Sequence, residues 1–574
     1  MMATVHKNKK GAVSVAALFP PRMVQVLAIL IAVFPFCIGG YHVFASCLLT
    51  IALGVALYLC IRRNGQLSIY RNDAFVSIAV LLAGYLLSAL WAVDCGMAAL
   101  GFVHLLPLLP MSLLLMQCTP QDKTRILRAV PFSGAVMTVL SYGLHFVPAF
   151  KGFFTVSGRL AGFFQYPNTF ALFLLIGIIL CLFDEVVPFV WKFALTAVLL
   201  FGIFESGSRT IFALTAITLL AVCVLHQEKR IKLSVAALFV LGVAAAGIYV
   251  WKTQDMQSIG RFLTTSLTES TFLGRLLYYK DALPVILRHP FGLGYMGYYY
   301  THHTFQTGVY QLMFVHNGWL QFLLDMGWLP TIYFAVAVVQ TLLSKSVCRA
   351  HKLVVSMIVL HSMADFDFEY VSILLLLLIC MDFTKGKQRQ LRTEKDAAVA
   401  MAATTLLCVY FGTAQFLQFL HLNEAACRMY PPFTTAKQEM LSSETDLTQA
   451  EALADSLLQS NGEIAECYRV KAGAAYARGE IAEFIQFGLE ALEKEPYNTD
   501  YYETFGNLTL TAIRQYESIG DIQSARMCAQ ALQQMQTLLE KTKHKTSDLA
   551  WKIQDQPDFT LSDDLTEYIK QFNG

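Results

Sequence analysis

Long apolar runs follow one another from Met23 to Leu420, with short polar stretches between them. A helix needs about 20 apolar residues to cross the ~30 Å hydrocarbon core of a bilayer. Only 15% of the 574 residues are charged, against about a quarter in soluble globular proteins. We therefore predict an all-α, polytopic transmembrane helical bundle, and the composition excludes an ordinary soluble enzyme or a disordered chain.

We predict about 12–13 spans from the apolar runs. The runs cover residues 23–39, 42–61, 74–92, 99–117, 129–149, 168–189, 190–204, 210–226, 233–251, 328–343, 353–364, 371–383 and 398–420.

Charge divides the chain into two parts. Residues 1–420 carry 30 Lys and Arg against 17 Asp and Glu, a net charge of +13, whereas residues 421–574 carry 13 against 24, a net charge of −11. The split predicts a transmembrane domain over 1–420 and a soluble, acidic, helical domain over 421–574.

Basic residues also predict the orientation of the spans. If the N-terminus is cytoplasmic, the cytoplasmic loops hold 22 Lys and Arg and the outer loops hold 8, which is the bias that membrane proteins show. This orientation places residues 421–574 on the extracytoplasmic side of the cytoplasmic (inner) membrane. The cytoplasmic N-terminal segment contains Lys7, Lys9, Lys10 and Arg22, and the outer basic residues are Lys151, Arg159, Arg209, Lys252, Arg261, Arg275, Lys280 and Arg288.

The outer basic residues run against this bias, so we expect some of them to bind anions. The alternative for each is a solvated loop residue or a lipid-headgroup anchor. Several lie in short motifs of Gly, Pro, Ser and Asn that interrupt helices at the predicted outer face. These motifs are Arg159-x-x-Gly162 followed by Pro167-Asn168, Ser208-Arg209, Gly274-Arg275, Pro290-x-Gly292-x-Gly294, His316-Asn317 with Gly327, and His361 with Asp365-Phe-Asp367. Asn168 could cap the helix that follows it.

In their order and spacing, these motifs resemble the O-antigen ligase and O-antigen polymerase superfamily over roughly residues 155–385. The resemblance implies a membrane glycosyltransferase, with no metal or other cofactor, that moves a glycan in one block from undecaprenyl pyrophosphate to an acceptor hydroxyl. The acceptor is lipid A-core in ligases, another lipid-linked repeat in polymerases, and Ser or Thr in protein-modifying relatives. One departure is Pro330, which stands where the family has a second Gly and puts the start of that helix in question.

Arginines are the expected ligands of the pyrophosphate, because a guanidinium stays charged and binds phosphate oxygens in bidentate fashion. Arg209 and Arg275 are the first choices since they adjoin membrane ends, followed by Arg159 and then Arg288. The large outer loop, predicted at about 252–315, would carry much of the catalytic apparatus.

His316 is the predicted general base for the acceptor hydroxyl, because histidine titrates near neutrality. The alternative is that His316 caps its helix or binds a carbonyl. Asn317, His361 and Asp365 are predicted to support the site. Asp365 and Asp367 could instead hold a divalent metal, although the resemblance favours a structural or arginine-pairing role.

Other features leave two interpretations open. The tyrosines between Tyr295 and Tyr300 could stack on sugars or form an interfacial belt.

Residues 421–574 resemble tetratricopeptide repeats, with Gly479 and Gly520 at helix turns and Pro496 after a helix. We expect this part to bind an acceptor, a glycan or a protein, and we expect no nucleic-acid partner.

Two other functions compete with glycan transfer. A transporter or flippase of lipid-linked saccharide would need charges within spans and often internal repeats, and a membrane scaffold for the helical tail would not need Arg and His motifs on one face. Within the enzyme interpretation, the nearest rival is the family of glycan polymerases of cell elongation, division and sporulation, which typically relies on an external Asp.

Overall fold

The computed structural model describes residues 20–238, 240, 270–391 and 394–573. The protein is 76% helical with almost no sheet, which confirms the all-α class. Outside the described residues lie Lys7, Lys9, Lys10, Lys252, Arg261 and the end of the span predicted at 233–251.

The apolar part contains most of the helices. They are Pro21–Val33, Val43–Asn64, Asp73–Ser88, Cys95–Leu105, Leu108–Leu115, Pro120–Leu127, Ala129–Leu144, Pro148–Phe154, Pro167–Phe183, Phe189–Ser206, Arg209–Leu225, residues 229–238, Ser270–Arg288, Gly297–Phe305, Gly318–Met326, Trp328–Leu343, Arg349–Ser362, Val371–Cys380 and Glu394–Phe419. The helices of the C-terminal part are Asn423–Met429, Thr434–Ser443, Leu447–Ser460, Ala465–Arg478, Ile481–Lys494, Thr499–Ser518, Ile522–Lys545 and Asp563–Asn573.

Five of the described helices are long and apolar enough to cross a membrane, and further apolar helices are shorter. The five are Val43–Asn64, Cys95–Leu115, Pro120–Leu144, Phe189–Ser206 and Glu394–Phe419. Cys95–Leu115 and Pro120–Leu144 each combine two consecutive helices of the list above. The span predicted at 371–383 is shorter than expected: Val371–Cys380 has 10 residues and is about 15 Å long. The described part of the outer loop predicted at 252–315 contains the helices Ser270–Arg288 and Gly297–Phe305.

Contacts divide the chain into two compact units. The first comprises residues 1–83, 103–264 and 332–413, and the second comprises 84–102, 265–331 and 414–574. This grouping differs from the division at residue 420 predicted from composition, because contacts join segments that are distant in sequence. The segment with Arg275 and His316 therefore packs with the C-terminal helices.

The core of the first unit is built around Pro167–Phe183. Of its 17 residues, 15 are buried, as expected for a helix that is apolar on every face. It packs against Ala129–Leu144, Phe189–Ser206, Arg209–Leu225 and Arg349–Ser362.

Loops that share a predicted face of the membrane contact each other in the first unit. Strand Leu67–Arg71 pairs antiparallel with Lys387–Leu391, and both come from predicted cytoplasmic loops. Arg128 Nε, in another such loop, lies 2.6 Å from an oxygen of Asp184, near the predicted cytoplasmic end of the span at 168–189. This grouping agrees with the predicted alternation of the loops.

The C-terminal helices of the second unit pack in sequential pairs. Ala465–Arg478 ends at Gly479, whose φ of 75° is left-handed, and Ile481–Lys494 packs back along it. Gly520, with φ of 78°, lies in the same way between Thr499–Ser518 and Ile522–Lys545. Glycine is the usual residue at such helix ends because it has no Cβ. The assignment to tetratricopeptide repeats remains a prediction.

Candidate functional site

Arg159 lies in the first unit, next to the end of the helix Phe189–Ser206. It belongs to a two-stranded hairpin, Thr155–Val156 with Arg159–Leu160. The connecting Ser157 and Gly158 both have positive φ, 49° and 73°, as a tight type I′ turn requires. The Arg159 guanidinium donates to the carbonyl of Ser206 and to Asn168 Oδ1, each at 2.7 Å. These contacts fix its place in the fold.

Arg209 is the first residue of the helix Arg209–Leu225, which follows the turn at Gly207 and Ser208. Ser208 occupies the N-cap position, and Gly207 before it is left-handed with φ of 59°. Gly207 lies against the Arg159 side chain, so Arg159 and Arg209 belong to the same part of the first unit. A cation at the positive end of a helix dipole is unfavourable by roughly 0.3–1 kcal/mol, so the position favours a role for Arg209 with an anion.

Asp365 is linked to Arg159 through Asn168. The amide of Asn168 donates to Asp365 Oδ2 at 2.7 Å, and the hydroxyl of Tyr166 donates to Asp365 Oδ1 at 2.8 Å. The prediction that Asn168 caps its helix is wrong: Tyr166 is the N-cap residue, Pro167 begins the helix, and the Asn168 side chain turns to Arg159 and Asp365 instead.

His361 forms a second buried pair nearby. Its Nδ1 lies 2.6 Å from Asp367 Oδ2, and the hydroxyl of Thr169 donates to Asp367 Oδ1 at 2.7 Å. The carboxylates of Asp365 and Asp367 thus accept hydrogen bonds from protein side chains, which supports the structural role over a metal role. Among the described residues there is no group of three or more His, Cys, Asp or Glu that could hold a metal ion.

In the second unit, Arg275 and Arg288 share the helix Ser270–Arg288, which we name the arginine helix. Arg275 is half-buried and lies between the buried Leu273 and Leu277, whereas Arg288 is exposed at the other end. The two arginines are thirteen positions apart on this helix, a distance of about 20 Å. The fold therefore does not bring Arg288 to Arg275.

His316 has a left-handed backbone, with φ of 52°. This conformation costs a non-glycine residue roughly 1–2 kcal/mol, and such residues cluster at functional sites. The hydroxyl of Tyr279 donates to the His316 carbonyl at 2.7 Å, and the Tyr278 ring lies 6.3 Å from the imidazole. Both tyrosines belong to the arginine helix, so Arg275 and His316 are held by the same element.

Asn317 caps the short helix after His316. Its Oδ1 accepts from the backbone N–H groups of Trp319 and Leu320, both at 3.1 Å. The side chain that caps Gly318–Met326 is therefore that of Asn317, and the capping alternative for His316 does not hold. Asn317 thus fixes the backbone that follows His316, and its supporting role in the site stays a prediction.

Buried polar contacts anchor this short helix. Gln321 accepts from the N–H of Val315 at 3.0 Å and donates to Asp325 Oδ1 at 2.9 Å. The hydroxyl of Tyr85 donates to Asp325 Oδ2 at 2.9 Å. These contacts fix the residues on both sides of His316.

The Pro290-x-Gly292-x-Gly294 motif packs against the end of the helix Gly318–Met326. The N–H groups of Leu293 and Gly294 donate to the carbonyls of Leu324 and Asp325 at 2.6 and 3.0 Å. A Cβ on Gly327 would lie 2.3 Å from the carbonyl oxygen of Pro290. Glycine is therefore required for this close approach of two backbones.

Asp281, on the arginine helix, holds the loop that precedes His316. Thr307 donates to the carboxylate through its N–H and its hydroxyl, both at 2.7 Å, and Tyr310 donates at 3.0 Å. Burial raises the pKa of Asp281, and these hydrogen bonds oppose the shift.

The tyrosines from Tyr295 to Tyr300 are buried or half-buried. Tyr298 and Tyr300 are buried, and Tyr298 stacks on His302 with ring centroids 5.5 Å apart. These two tyrosines therefore serve neither of the predicted roles, because their rings pack inside the unit. Burial lowers the pKa of His302 to about 3, and the neighbouring His303 adds to the shift.

Residues 194–335 match the family model described as O-antigen ligase. This part of the chain is therefore similar to that family, and we refer to residues 194–335 as the O-antigen ligase domain. The resemblance to the O-antigen ligase and polymerase superfamily is confirmed, and the match supports a glycosyltransferase of that general type. The family implies a lipid-linked glycan donor. No curated protein matches the chain.

The O-antigen ligase domain contains some of the predicted site residues and not others. Arg209, Arg275, Arg288, His316 and Asn317 fall within residues 194–335. The remaining predicted residues, Arg159, His361 and Asp365, lie outside this range.

Several residues that build the site were not predicted to belong to it. They are Tyr166, Thr169, Tyr279, Asp281, Tyr310, Gln321 and Asp325. Asp281 had a signal in the sequence, since an acidic residue on an apolar helix face needs a partner. The tyrosines had none, because their contacts join segments that are distant in sequence.

Proposed function

We propose that this protein transfers a glycan from undecaprenyl pyrophosphate to an acceptor hydroxyl on the outer face of the cytoplasmic membrane. The observation that carries the proposal is the conformation of His316. A strained histidine, flanked by a capping asparagine and fixed by Tyr279 on the arginine helix, lies within the O-antigen ligase domain.

The arginines supply the proposed charge for the pyrophosphate. Arg209 is supported by its place at a helix start, and Arg275 by its place on the helix that holds His316. Arg159 is supported mainly as a positioning residue, because Ser206 and Asn168 bind its guanidinium. Arg288 has the weakest support, since it lies at the far end of the arginine helix.

The proposed reaction is a direct transfer. The acceptor oxygen forms a bond to the anomeric carbon of the glycan, and the bond from that carbon to the pyrophosphate oxygen breaks with its electron pair. The hydroxyl proton passes to the imidazole of His316, and undecaprenyl pyrophosphate leaves. Fixed cations near the developing negative charge would lower the barrier. We propose no metal in this step.

The C-terminal helices are proposed to lie on the outer face with His316. Asp94, beside the outer end of a predicted span, accepts from the hydroxyl of Thr434 at 2.5 Å and from the amide of Asn461 at 3.1 Å. The hydroxyl of Tyr430 donates to the carbonyl of Gly96 at 2.8 Å. Because these contacts lie within one unit, the C-terminal part and the His316 segment are expected on the same side.

Transfer by variant proteins tests the proposal. Full-length protein with His316→Ala, Arg275→Ala or Arg209→Ala would be assayed in nanodiscs with lipid-linked oligosaccharide extracted from the producing cells. We expect transfer to fall by about 10²–10³-fold for each arginine, as for other groups that stabilise developing charge.

His289→Ala and Arg514→Ala are matched controls, because both side chains are exposed and neither belongs to the site. Full transfer by both His316→Ala and Arg275→Ala would refute the mechanism. Alkaline phosphatase fused to the C-terminus tests the orientation, since the enzyme is active only outside the cytoplasm, and an inactive but intact fusion would refute the outer placement.

A further inference from the structure

A segment near the C-terminus lies along the arginine helix, and we name residues 545–554 the strap. The N–H of Gln554 donates to Ser270 Oγ at 2.7 Å. The ammonium group of Lys280 donates to Ser547 Oγ at 2.8 Å. Ser270 and Lys280 are about 15 Å apart along the helix, so the strap is attached at two separated points on either side of Arg275.

Apolar packing fills the space between these points. Ala550 is fully buried in a cluster with Leu273, Leu277, Tyr310 and Ile553. Leu273 and Leu277 are four residues apart and therefore share one helix face. They flank Arg275 in sequence, so the strap sets the rotation of the helix and hence the direction of the Arg275 side chain.

The strap also binds the loop that precedes His316. The N–H of Ser547 donates to the carbonyl of Thr307, and the ammonium group of Lys545 donates to the carbonyl of Thr304, both at 2.8 Å. A Cβ on Gly308 would lie 2.7 Å from Ala550 Cβ. The strap and this loop therefore lie so close at Gly308 and Ala550 that a side chain at position 308 would not fit without a shift.

Two tyrosines extend these contacts to the histidine. The Tyr310 ring lies 4.6 Å from the Tyr278 ring, and the Tyr278 ring lies 6.3 Å from the imidazole of His316. Tyr310 belongs to the cluster around Ala550. A continuous set of packed side chains thus joins the strap to His316 and to the helix that carries Arg275.

We propose that the strap is a positioning element for glycan transfer, which holds Arg275 and His316 in their relative places. It gives the C-terminal part a role in the reaction beyond the docking of a partner. The inference rests on the proposed function, because it assumes that Arg275 and His316 act on the substrates.

The first test overfills the contact between the strap and the helix. Ala550→Leu in the full-length protein adds three carbon atoms to a site where Ala550 has no exposed surface. We expect the initial rate of transfer, with extracted lipid-linked oligosaccharide as the probe, to fall at least tenfold. The matched control is Ala482→Leu, at an exposed position of the same C-terminal part, which should change the rate less than twofold.

The second test separates positioning from a general loss of structure. Ala550→Leu is combined with Arg275→Lys, which keeps the charge and leaves a measurable rate. If the strap acts through Arg275, the factor lost to Ala550→Leu should be at least threefold smaller in the Arg275→Lys background, because interacting residues are not additive. Equal factors in both backgrounds would overturn the positioning role.

A milder pair of variants covers the case in which Ala550→Leu does not insert. Ser547→Ala removes the acceptor for Lys280, and Ser547→Thr restores a hydroxyl. We expect a threefold or larger loss for Ser547→Ala that Ser547→Thr largely recovers. Full rates for Ser547→Ala and any inserted Ala550→Leu, together with a loss for Arg275→Lys, would refute the strap alone. Full rates for Arg275→Lys and His316→Ala would refute the proposed function instead.

Discussion

Replacing His316 by glycine should strengthen the local fold and abolish transfer at the same time. The backbone of His316 is left-handed, with φ of 52°, which costs a non-glycine residue roughly 1–2 kcal/mol. Glycine adopts this conformation without that cost but loses about 0.5–1 kcal/mol more chain entropy on folding. His316→Gly should therefore be about 0.5–1 kcal/mol more stable locally than His316→Ala, and both variants lack the imidazole.

Hydrogen exchange measures this difference at the helix after His316. The N–H groups of Trp319 and Leu320 bind Asn317, so their exchange reports opening of the capped turn. A difference of about 0.5–1 kcal/mol corresponds to two- to fivefold slower exchange in His316→Gly than in His316→Ala. Transfer is measured on the same samples.

Two results would refute this reasoning in different ways. Faster or equal exchange in His316→Gly would show that the backbone at this position is not strained. Wild-type transfer by either variant would show that the imidazole is not the base. The His289→Ala variant, with its exposed side chain, should match the wild-type protein in both measurements.

Three further predictions concern the second unit. Asn317→Ala removes the cap of the helix after His316 and should destabilise it by about 1 kcal/mol, seen as faster exchange of the first-turn amides, whereas Asn317→Asp should restore protection. Gly327→Ala should lower the yield of inserted protein, because the added Cβ meets the carbonyl oxygen of Pro290 at 2.3 Å; normal yield and activity would contradict the close backbone packing. Acidification should destabilise this unit through His302, whose pKa is lowered to about 3 by burial: stability is fully present above the unfolded pKa of about 6.5 and is lost as the pH falls below it, by about 2 kcal/mol at pH 5. Thermal unfolding between pH 7 and pH 5 measures this loss, which His302→Gln should reduce and which a flat pH dependence would contradict.

Arg288 shows where motif reasoning was insufficient. In the sequence, Arg275 and Arg288 are both outer basic residues within one motif-rich segment. The segment folds as one helix, so they lie about 20 Å apart, and only Arg275 lies on the part that holds His316. The sequence did not predict that one helix would include both arginines.

Asp365 shows a different limit. Its place after a predicted span was apparent, and a supporting role was predicted. Its partners Tyr166 and Asn168 lie almost 200 residues earlier in the chain, and no local pattern joins positions at such a distance. The choice between metal ligand and structural acceptor depends on those partners.

Some properties of this protein follow from the sequence alone because they depend on local composition. Apolar runs predict membrane helices wherever they occur, the distribution of Lys and Arg predicts the alternation of loops, and the motifs from Arg159 to Asp367 indicated the superfamily that the match at residues 194–335 confirmed. Each of these signals is contained in a short stretch of chain.

Only the tertiary structure decided which segments act together. It joins the strap to the arginine helix and the loop before His316, although composition assigned the strap to a separate acidic domain. It also assigns the cap to Asn317 and the strained backbone to His316. The physical reason is that close packing and buried hydrogen bonds select partners by shape and distance in space, and composition along the chain carries little of that information.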